Sequence, residues 1–323
     1  MAAPANMSWT FILSGIPELG DHQQWFAPLL CVLYATAFFG NCTILFLIRM
    51  ERGLHQPMFM LLAMLAMTDV GVSLTTLPTM LSIFCFNYNE IYSELCLTQM
   101  YFLHTFAAME SGVLVAMAVD RLIAICDPLR YASILTSSAT GWMGLVIVIR
   151  GVCVVFPIPF LTRRFPFCKS RVLSHSYCLH QDVIRLACAD TTINSVYGLL
   201  AVLMTKGVDS MFILISYGLI LQAVLKMKAN DARLKAFSTC VAHMCAVLLF
   251  YIPLIGLSVL HRVGTHVSHL LAIIMADVYL LLPPVINPVI YSVNTKQIRQ
   301  KMVQLFRKRR VEVQANGIAV IKV

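Results

Sequence analysis

Charge is scarce in this sequence. Of 323 residues, 12% are Asp, Glu, Lys or Arg and 59% are hydrophobic, whereas an ordinary soluble domain carries roughly 25% charged residues. The deficit is uneven. Long stretches almost free of charge alternate with short charged segments, which excludes a soluble domain of usual composition and is the pattern of repeated membrane spans. The start, MAAPANMSWT, lacks a basic region followed by a short apolar core and a small-residue cleavage site. No removable signal peptide is therefore expected, and the first span is expected to act as its own insertion signal. His-Glu-x-x-His, Gly-x-Ser-x-Gly and Cys/His clusters with metal spacing are all missing, so the common hydrolase and metalloenzyme readings fall away. Asp69 and Glu110 are candidate carboxylates, but nothing else in the chain would position a scissile bond beside them. Internal repeats with broken helices, the mark of many transporters, are not found, nor is any soluble domain.

What is present is a set of hydrophobic runs at roughly 25–48, 57–84, 97–126, 141–161, 195–225, 236–260 and 269–293, each long enough to cross about 30 Å of hydrocarbon. The expectation is an all-α membrane protein, a seven-transmembrane helix bundle. An odd number of spans puts the two ends on opposite sides. The net charge of +9 points to orientation rather than to nucleic acid, because basic residues gather at the cytoplasmic face of membrane proteins. The tail after Tyr291 holds eight Lys/Arg against the single acid Glu312, and Lys226–Lys235 adds four more. With the tail inside, 16 Lys/Arg fall on cytoplasmic segments, six on extracellular ones and two, Arg150 and Lys206, within spans. The expected organisation is thus an extracellular N-terminus (1–24), the membrane bundle (25–293) and a cytoplasmic segment (294–323), in the plasma membrane. Asn6-Met7-Ser8 is a glycosylation sequon on the outer side; Asn41-Cys42-Thr43 also matches but lies inside a span. Thr295–Arg310 reads as a short amphipathic eighth helix on the inner leaflet, with Ile298, Met302, Leu305 and Phe306 at helical spacing among basic residues. A solvated basic tail is the simpler alternative.

Most of the eleven cysteines sit within spans, where cysteine is ordinarily a small buried apolar residue. Cys96, at the top of the third run, and Cys168, Cys178 and Cys188, in the long loop before the fifth, lie in the oxidising compartment. Four cysteines allow three pairings. The pairing expected is Cys96–Cys178, pinning the loop over the bundle mouth, with Cys168–Cys188 folding the loop on itself; Cys85 is left over and free.

Ionisable groups inside a span cost about 2.5–3.5 kcal/mol on insertion scales and default to functional hypotheses. They are Asp69, Glu110, Arg150, Lys206, Asp209 and Asp277. Asp69 and Glu110 lie mid-span, and two neighbouring carboxylates cannot both stay ionised in a dry site without a cation or shared proton. A sodium ion would satisfy them; water and hydroxyl partners are the plainer reading. Lys206 and Asp209, three residues apart, are expected to neutralise each other. His104 lies about 12 Å below Cys96 by helical rise, on a face with Met100, Ala107, Ala108 and Ser111, where a packed core histidine is the ordinary alternative. Tyr251, Ser258 and Arg262 are seven and four residues apart and line one face of the sixth run. Arg262 sits where that run leaves the membrane, as a ligand anchor or a solvated loop arginine.

Gly40-Asn41, Leu54-His55-Gln56-Pro57-Met58, Met117-Ala118-Val119-Asp120-Arg121, Ala124-Ile125-Cys126, Pro128-Leu129-Arg130-Tyr131, Ser216-Tyr217, Lys235-Ala236-Phe237-Ser238-Thr239-Cys240, Pro283-Pro284 and Asn287-Pro288-Val289-Ile290-Tyr291 occur in that order on successive segments. Together they resemble the odorant receptor family of rhodopsin-like G-protein-coupled receptors over nearly the whole chain. The loop from Phe167 to Cys188, with Ser174-His175-Ser176-Tyr177-Cys178, looks like the class I, fish-like branch, whose members often recognise carboxylic acids and other polar odorants. The resemblance implies an odorant receptor, not an enzyme, that raises cAMP through a stimulatory G protein. A metabolite-sensing receptor outside the nose, with the same coupling, is the alternative. Residue by residue, it implies that His104, His180, Gln181, Ser258 and Arg262 face the odorant. It implies further that Arg121 contacts the G protein once freed from Asp120, that Tyr217, Tyr251, His243, Asn287, Pro288 and Tyr291 take part in activation, and that Asp69 and Glu110 hold sodium in the inactive state. No cofactor is required. Leu122 and Phe59 stand where the family usually has tyrosine, and Lys206 adds an unusual charge to the fifth helix. The expected mechanism draws the outer end of the sixth helix toward an odorant carboxylate on Arg262, tilting the helix about Pro253 and Gly256 and swinging Lys235 and Thr239 outward.

Overall fold

The computed structural model describes residues 10–168, 170–263 and 269–304. Seven helical segments in it are long and apolar enough to cross a membrane. The first is α1 (Ala27–Met50), followed by α2 (Pro57–Phe86) and α3 (Ser93–Cys126). After the short α4 (Tyr131–Ile134), α5 (Ser137–Val155) and α6 (Pro157–Arg163) form the fourth span, and α7 (His180–Arg185) lies in the long loop that follows. The fifth span is α8 (Thr192–Val202), a π-helical turn (Leu203–Gly207) and α9 (Val208–Lys226). Finally α10 (Asn230–Val263) and α11 (His269–Asn294) supply the sixth and seventh. A further helix, α12, covers 296–304.

Local chemistry sets several boundaries. Pro57 opens α2 at a position whose N–H would have no helical partner anyway. That helix ends on Asn87, left-handed at φ 51°, a conformation asparagine tolerates better than most residues. Thr136 caps α5, its side-chain oxygen accepting from the Ala139 N–H at 3.2 Å. Between the spans a β-carbon at Gly40 would lie 3.0 Å from Pro288 Cγ, so glycine permits the first and seventh helices to approach closely. Beside it, Asn41 Nδ2 donates to the carbonyls of Ala37 and Pro284, each at 2.9 Å.

The outward faces are apolar: Phe39 is 67% exposed, Trp142 65% and Leu214 72%. Such surface on every side of a soluble monomer would drive aggregation; against acyl chains it is the appropriate solvent-facing surface. The chain is a multi-pass membrane protein. Its interior holds two main apolar clusters, one around Phe84, Met100, Tyr177 and Ile83 at the Cys96 end, the other around Leu61, Leu65, Phe250 and Tyr291 at the Arg121 end.

One feature departs from a purely helical expectation. The segment before the first span contributes a strand, β1 (Thr10–Leu13), which pairs antiparallel with β2 (Glu90–Tyr92) and parallel with β3 (Val172–Leu173). Phe11 and Leu13 are buried beneath this small sheet. The strands are four residues or fewer, and their pairing depends on partners 78 to 160 positions away, which no local pattern reports. The eighth helix is helical as far as residue 304, with Ile298 buried and Met302 packed on the lower cluster; Leu305, Phe306 and Arg307–Arg310 lie outside the described residues, as does Asn6. Lys301 pairs with Glu51 at 2.8 Å, tying this helix to the turn between the first two spans.

Candidate functional site

A lid closes the Cys96 end. Disulfides join Cys96 to Cys178 and Cys168 to Cys188, with Cα atoms 5.5 and 5.8 Å apart, and Cys85 is free. Gln99, one turn below Cys96, adds a polar clamp: its Nε2 donates to the Thr75 carbonyl (3.1 Å) and Thr79 Oγ1 (2.9 Å), while its Oε1 accepts from the Cys178 N–H at 3.0 Å. Tyr177 is fully buried, and its hydroxyl donates to the Ala276 carbonyl of the seventh span at 3.0 Å. The loop is therefore bonded to the third and seventh spans, and Gln99 ties its anchor on the third span to the second.

Under this lid the structure brings His104 and His180 into mutual electrostatic reach, with Lys206 beyond them. His104 Nε2 is shielded and has no hydrogen-bond partner among the described residues. His180, in the loop, is buried, and burial lowers its imidazole to about 4, so it is a neutral hydrogen-bonding group at physiological pH. A β-carbon at Gly198 would lie 2.7 Å from His180 Cε1; the missing side chain is the seat for the ring. Replacing Gly198 with alanine is expected to overpack this contact by about 1–3 kcal/mol and lower the melting temperature of the purified protein, with recovery in the Gly198→Ala/His180→Ala double variant. A melting temperature unchanged in the single variant would show that the ring moves aside freely. Gln181, next along α7, is exposed. Ser258 and Arg262 lie in α10, but their side chains are outside the described residues, as are those of Lys235 and Thr239.

Deeper in the bundle is a five-helix polar network. Arg150 makes a bidentate pair with Asp209, both N–O distances 2.6 Å. Ser111 Oγ lies 2.8 Å from Asp209 Oδ2, 3.0 Å from the Thr205 carbonyl and 2.8 Å from the Tyr251 hydroxyl. The π-helical turn is what offers that carbonyl: a widened turn displaces backbone groups from the regular ladder. Lys206 instead donates to the Tyr279 hydroxyl at 2.6 Å and lies 5.1 and 5.3 Å from the ring centroids of Phe250 and Tyr279, within cation–π range. The expected Lys206–Asp209 pair is thus corrected. Both charges are buried on one helix, but Asp209 takes the planar guanidinium from the fourth span, which can grip both carboxylate oxygens.

Asp69 is fully buried and accepts from Asn287 Nδ2 at 3.1 and 3.4 Å. Glu110 is buried within electrostatic reach of Asp69 and Lys206, and Asn287 Oδ1 is buried without a partner among the described residues. At the opposite end of the third span Arg121 Nε donates to Asp120 Oδ2 at 2.9 Å, its Nη2 bonds the same oxygen, and Tyr131 donates to Oδ1 at 2.7 Å. Burial, then the bond to Asp120 and its charge, raise the Tyr131 hydroxyl above its usual range, keeping it a donor. Tyr217 and His243 stack with centroids 5.8 Å apart and share a 2.6 Å bond through Nδ1; Tyr291 is buried with its hydroxyl unpartnered among the described residues.

A lidded cluster at one end of seven helices, a polar core and a bonded Asp-Arg pair at the other is the outline of a receptor. The sequence model of the family described as olfactory receptor matches residues 30–309. This chain belongs to the olfactory receptor family. It is a receptor and not an enzyme. It is 52% identical over 302 residues to human olfactory receptor 51G2, covering 94% of this chain and 96% of that one. Mouse olfactory receptor 51E2 is 51% identical over 298 residues (92% and 93%) and human olfactory receptor 51I1 49% over 299 (93% and 95%).

The receptor's departures from the family pattern have places in the structure. Leu122 packs against Ile220, Val224 and Cys240, and Phe59 is buried in the lower cluster, so both positions are apolar where a tyrosine would need a hydroxyl partner. Sequence reasoning missed Gln99, Tyr131, Tyr279 and the Arg150–Asp209 pair as site residues. Arg150 carried a signal, being one of two cations inside spans; its partner lies 59 residues away on the next span and could not be read from spacing.

Proposed function

We propose that this receptor, with its N-terminus outside and its tail inside the cell, detects a small polar odorant, a carboxylic acid above all, in the space beneath the lid, and signals through a stimulatory G protein to raise cAMP. The observation that carries the reading is the His104–His180 cluster under the disulfide-pinned loop, where one imidazole nitrogen is buried without a partner among the described residues. A buried polar atom left unpaired costs about 1–3 kcal/mol, so a ligand that supplies the partner is favoured. A carboxylate held bidentately by Arg262, with its aliphatic tail against the third, fifth and sixth spans, completes the arrangement. Names of the similar human and mouse proteins support odorant detection in general and leave the acid preference to experiment.

A ligand shifts a two-state receptor only through differential affinity. Tyr251 on the sixth span is bonded through Ser111 to the third and fifth, so an odorant that draws that span inward strains this junction, and the tilt about Pro253 and Gly256 opens the Arg121 end to the G protein. A sodium ion between Asp69 and Glu110 stabilises the resting state; the orphaned Asn287 Oδ1 is suited to complete its oxygen shell.

Arg262→Ala should raise the concentration of short fatty acid needed for half-maximal response by at least about tenfold, the equivalent of losing one charge-assisted contact, in a cAMP reporter assay with surface level matched. Full retention of the acid response would reject the anchor role.

A further inference from the structure

The cleft between the first and seventh spans encloses a cavity of about 260 Å³. Its walls come from Leu29, Leu30, Phe84, Ile274 and Leu281 among others, and among the described lining residues only Asp277 is polar. Asp277 lines the cavity, and among the described residues no hydrogen bond or ion pair reaches either oxygen of its carboxyl. The two nearby hydroxyls are committed elsewhere. Thr76 donates to the Val72 carbonyl, so Tyr34 spends its proton on Thr76 at 2.9 Å, and Tyr177 spends its own on the Ala276 carbonyl. On the outer side Leu29 is 53% exposed and Phe26 38%, so the cleft opens laterally, toward acyl chains rather than toward the space under the lid. His104, His180 and Lys206 do not line it.

An apolar cavity with one unsatisfied acceptor selects a ligand with one donor on an aliphatic body. A hydroxyl satisfies a carboxyl oxygen in either protonation state and carries no charge into the hydrocarbon, whereas an ammonium would bring its own desolvation cost. The volume is below the usual range of about 300–1,000 Å³ for drug-sized ligands, which excludes a whole phospholipid and suits a short chain. We propose that this cleft binds a membrane-dissolved aliphatic alcohol, its hydroxyl donating to Asp277. The peptide unit beside Asp277 also anchors the lid through Tyr177, so occupancy bears on the loop that covers the odorant space. The site stands independently of the acid-odorant reading.

The test uses the full receptor in lipid nanodiscs with a diazirine-bearing ten-carbon primary alcohol and its methyl ether, which lacks the donor. On irradiation the alcohol should label peptides spanning residues 26–33 and 278–285, with about tenfold less label from the ether, as loss of one hydrogen bond to a carboxyl implies. Excess decanol should suppress the label, and Asp277→Leu should reduce it to the level of the ether. Equal labelling by alcohol and ether on the unaltered receptor, label on other peptides, or undiminished label in Asp277→Leu would each overturn the assignment. The ether comparison needs no variant, so it decides the matter even if Asp277→Leu does not fold.

Discussion

Arg150→Leu should almost abolish display of the receptor at the cell surface. The substitution leaves the Asp209 carboxylate, 3% exposed, in the middle of the bundle with Ser111 as its one remaining hydrogen-bond partner among the described residues. Breaking a buried pair by removing one member costs about 3–5 kcal/mol, comparable to a large part of the 5–15 kcal/mol by which proteins are ordinarily stable. Arg150→Leu/Asp209→Leu removes both charges and should recover most of the display, because two apolar side chains need no partner in a membrane. Flow cytometry of an epitope-tagged receptor reads both. A single variant displayed like the unaltered protein would mean that Asp209 is satisfied without the guanidinium. Recovery of display without recovery of signalling would separate the pair's structural contribution from the Ser111–Tyr251 junction it supports.

The second large effect is expected at the lid. Cys96 and Cys178 are 82 residues apart in sequence, Cys168 and Cys188 only 20. In the chain-entropy view, closing the longer loop stabilises by about 4–5 kcal/mol and the shorter by about 3 kcal/mol. Cys96→Ser/Cys178→Ser should therefore depress the melting temperature more than Cys168→Ser/Cys188→Ser. The first pair also releases the backbone N–H held by Gln99, loosening the bridge between the third span and the loop. Thermal unfolding in matched detergent checks the order. The reverse order would show that the loop's own fold, through α7 and β3, matters more than its attachment to the bundle.

How much of this was legible beforehand differs from one feature to the next. The seven spans were, since a run of apolar residues must appear wherever a helix crosses hydrocarbon, and the helices extend beyond the runs by short, more polar turns such as Ser137–Thr140 and Thr192–Asn194. The family was legible in short motifs whose reasons are now visible: Gly40-Asn41 because the seventh span touches there, Asp120-Arg121 with Tyr131 because one carboxylate accepts from both. The Lys206–Asp209 pair was misread because i,i+3 proximity on one helix is a local rule, and in a bundle the better-shaped partner came from another helix. The extra β-sheet was invisible because each strand is too short to show alternation.

Composition and hydrophobic period were enough to establish a membrane-embedded seven-helix bundle, because these properties answer to the bilayer one segment at a time, while the receptor family was carried by the ordered motifs. Pairing needed three dimensions. Which helix neutralises Asp209, which ring shelters Lys206, how His180 is seated on Gly198 and why Asp277 faces a cleft without a partner all depend on the rotation and mutual approach of helices. Those are set by side-chain packing between residues far apart in the chain, about which no single segment carries information.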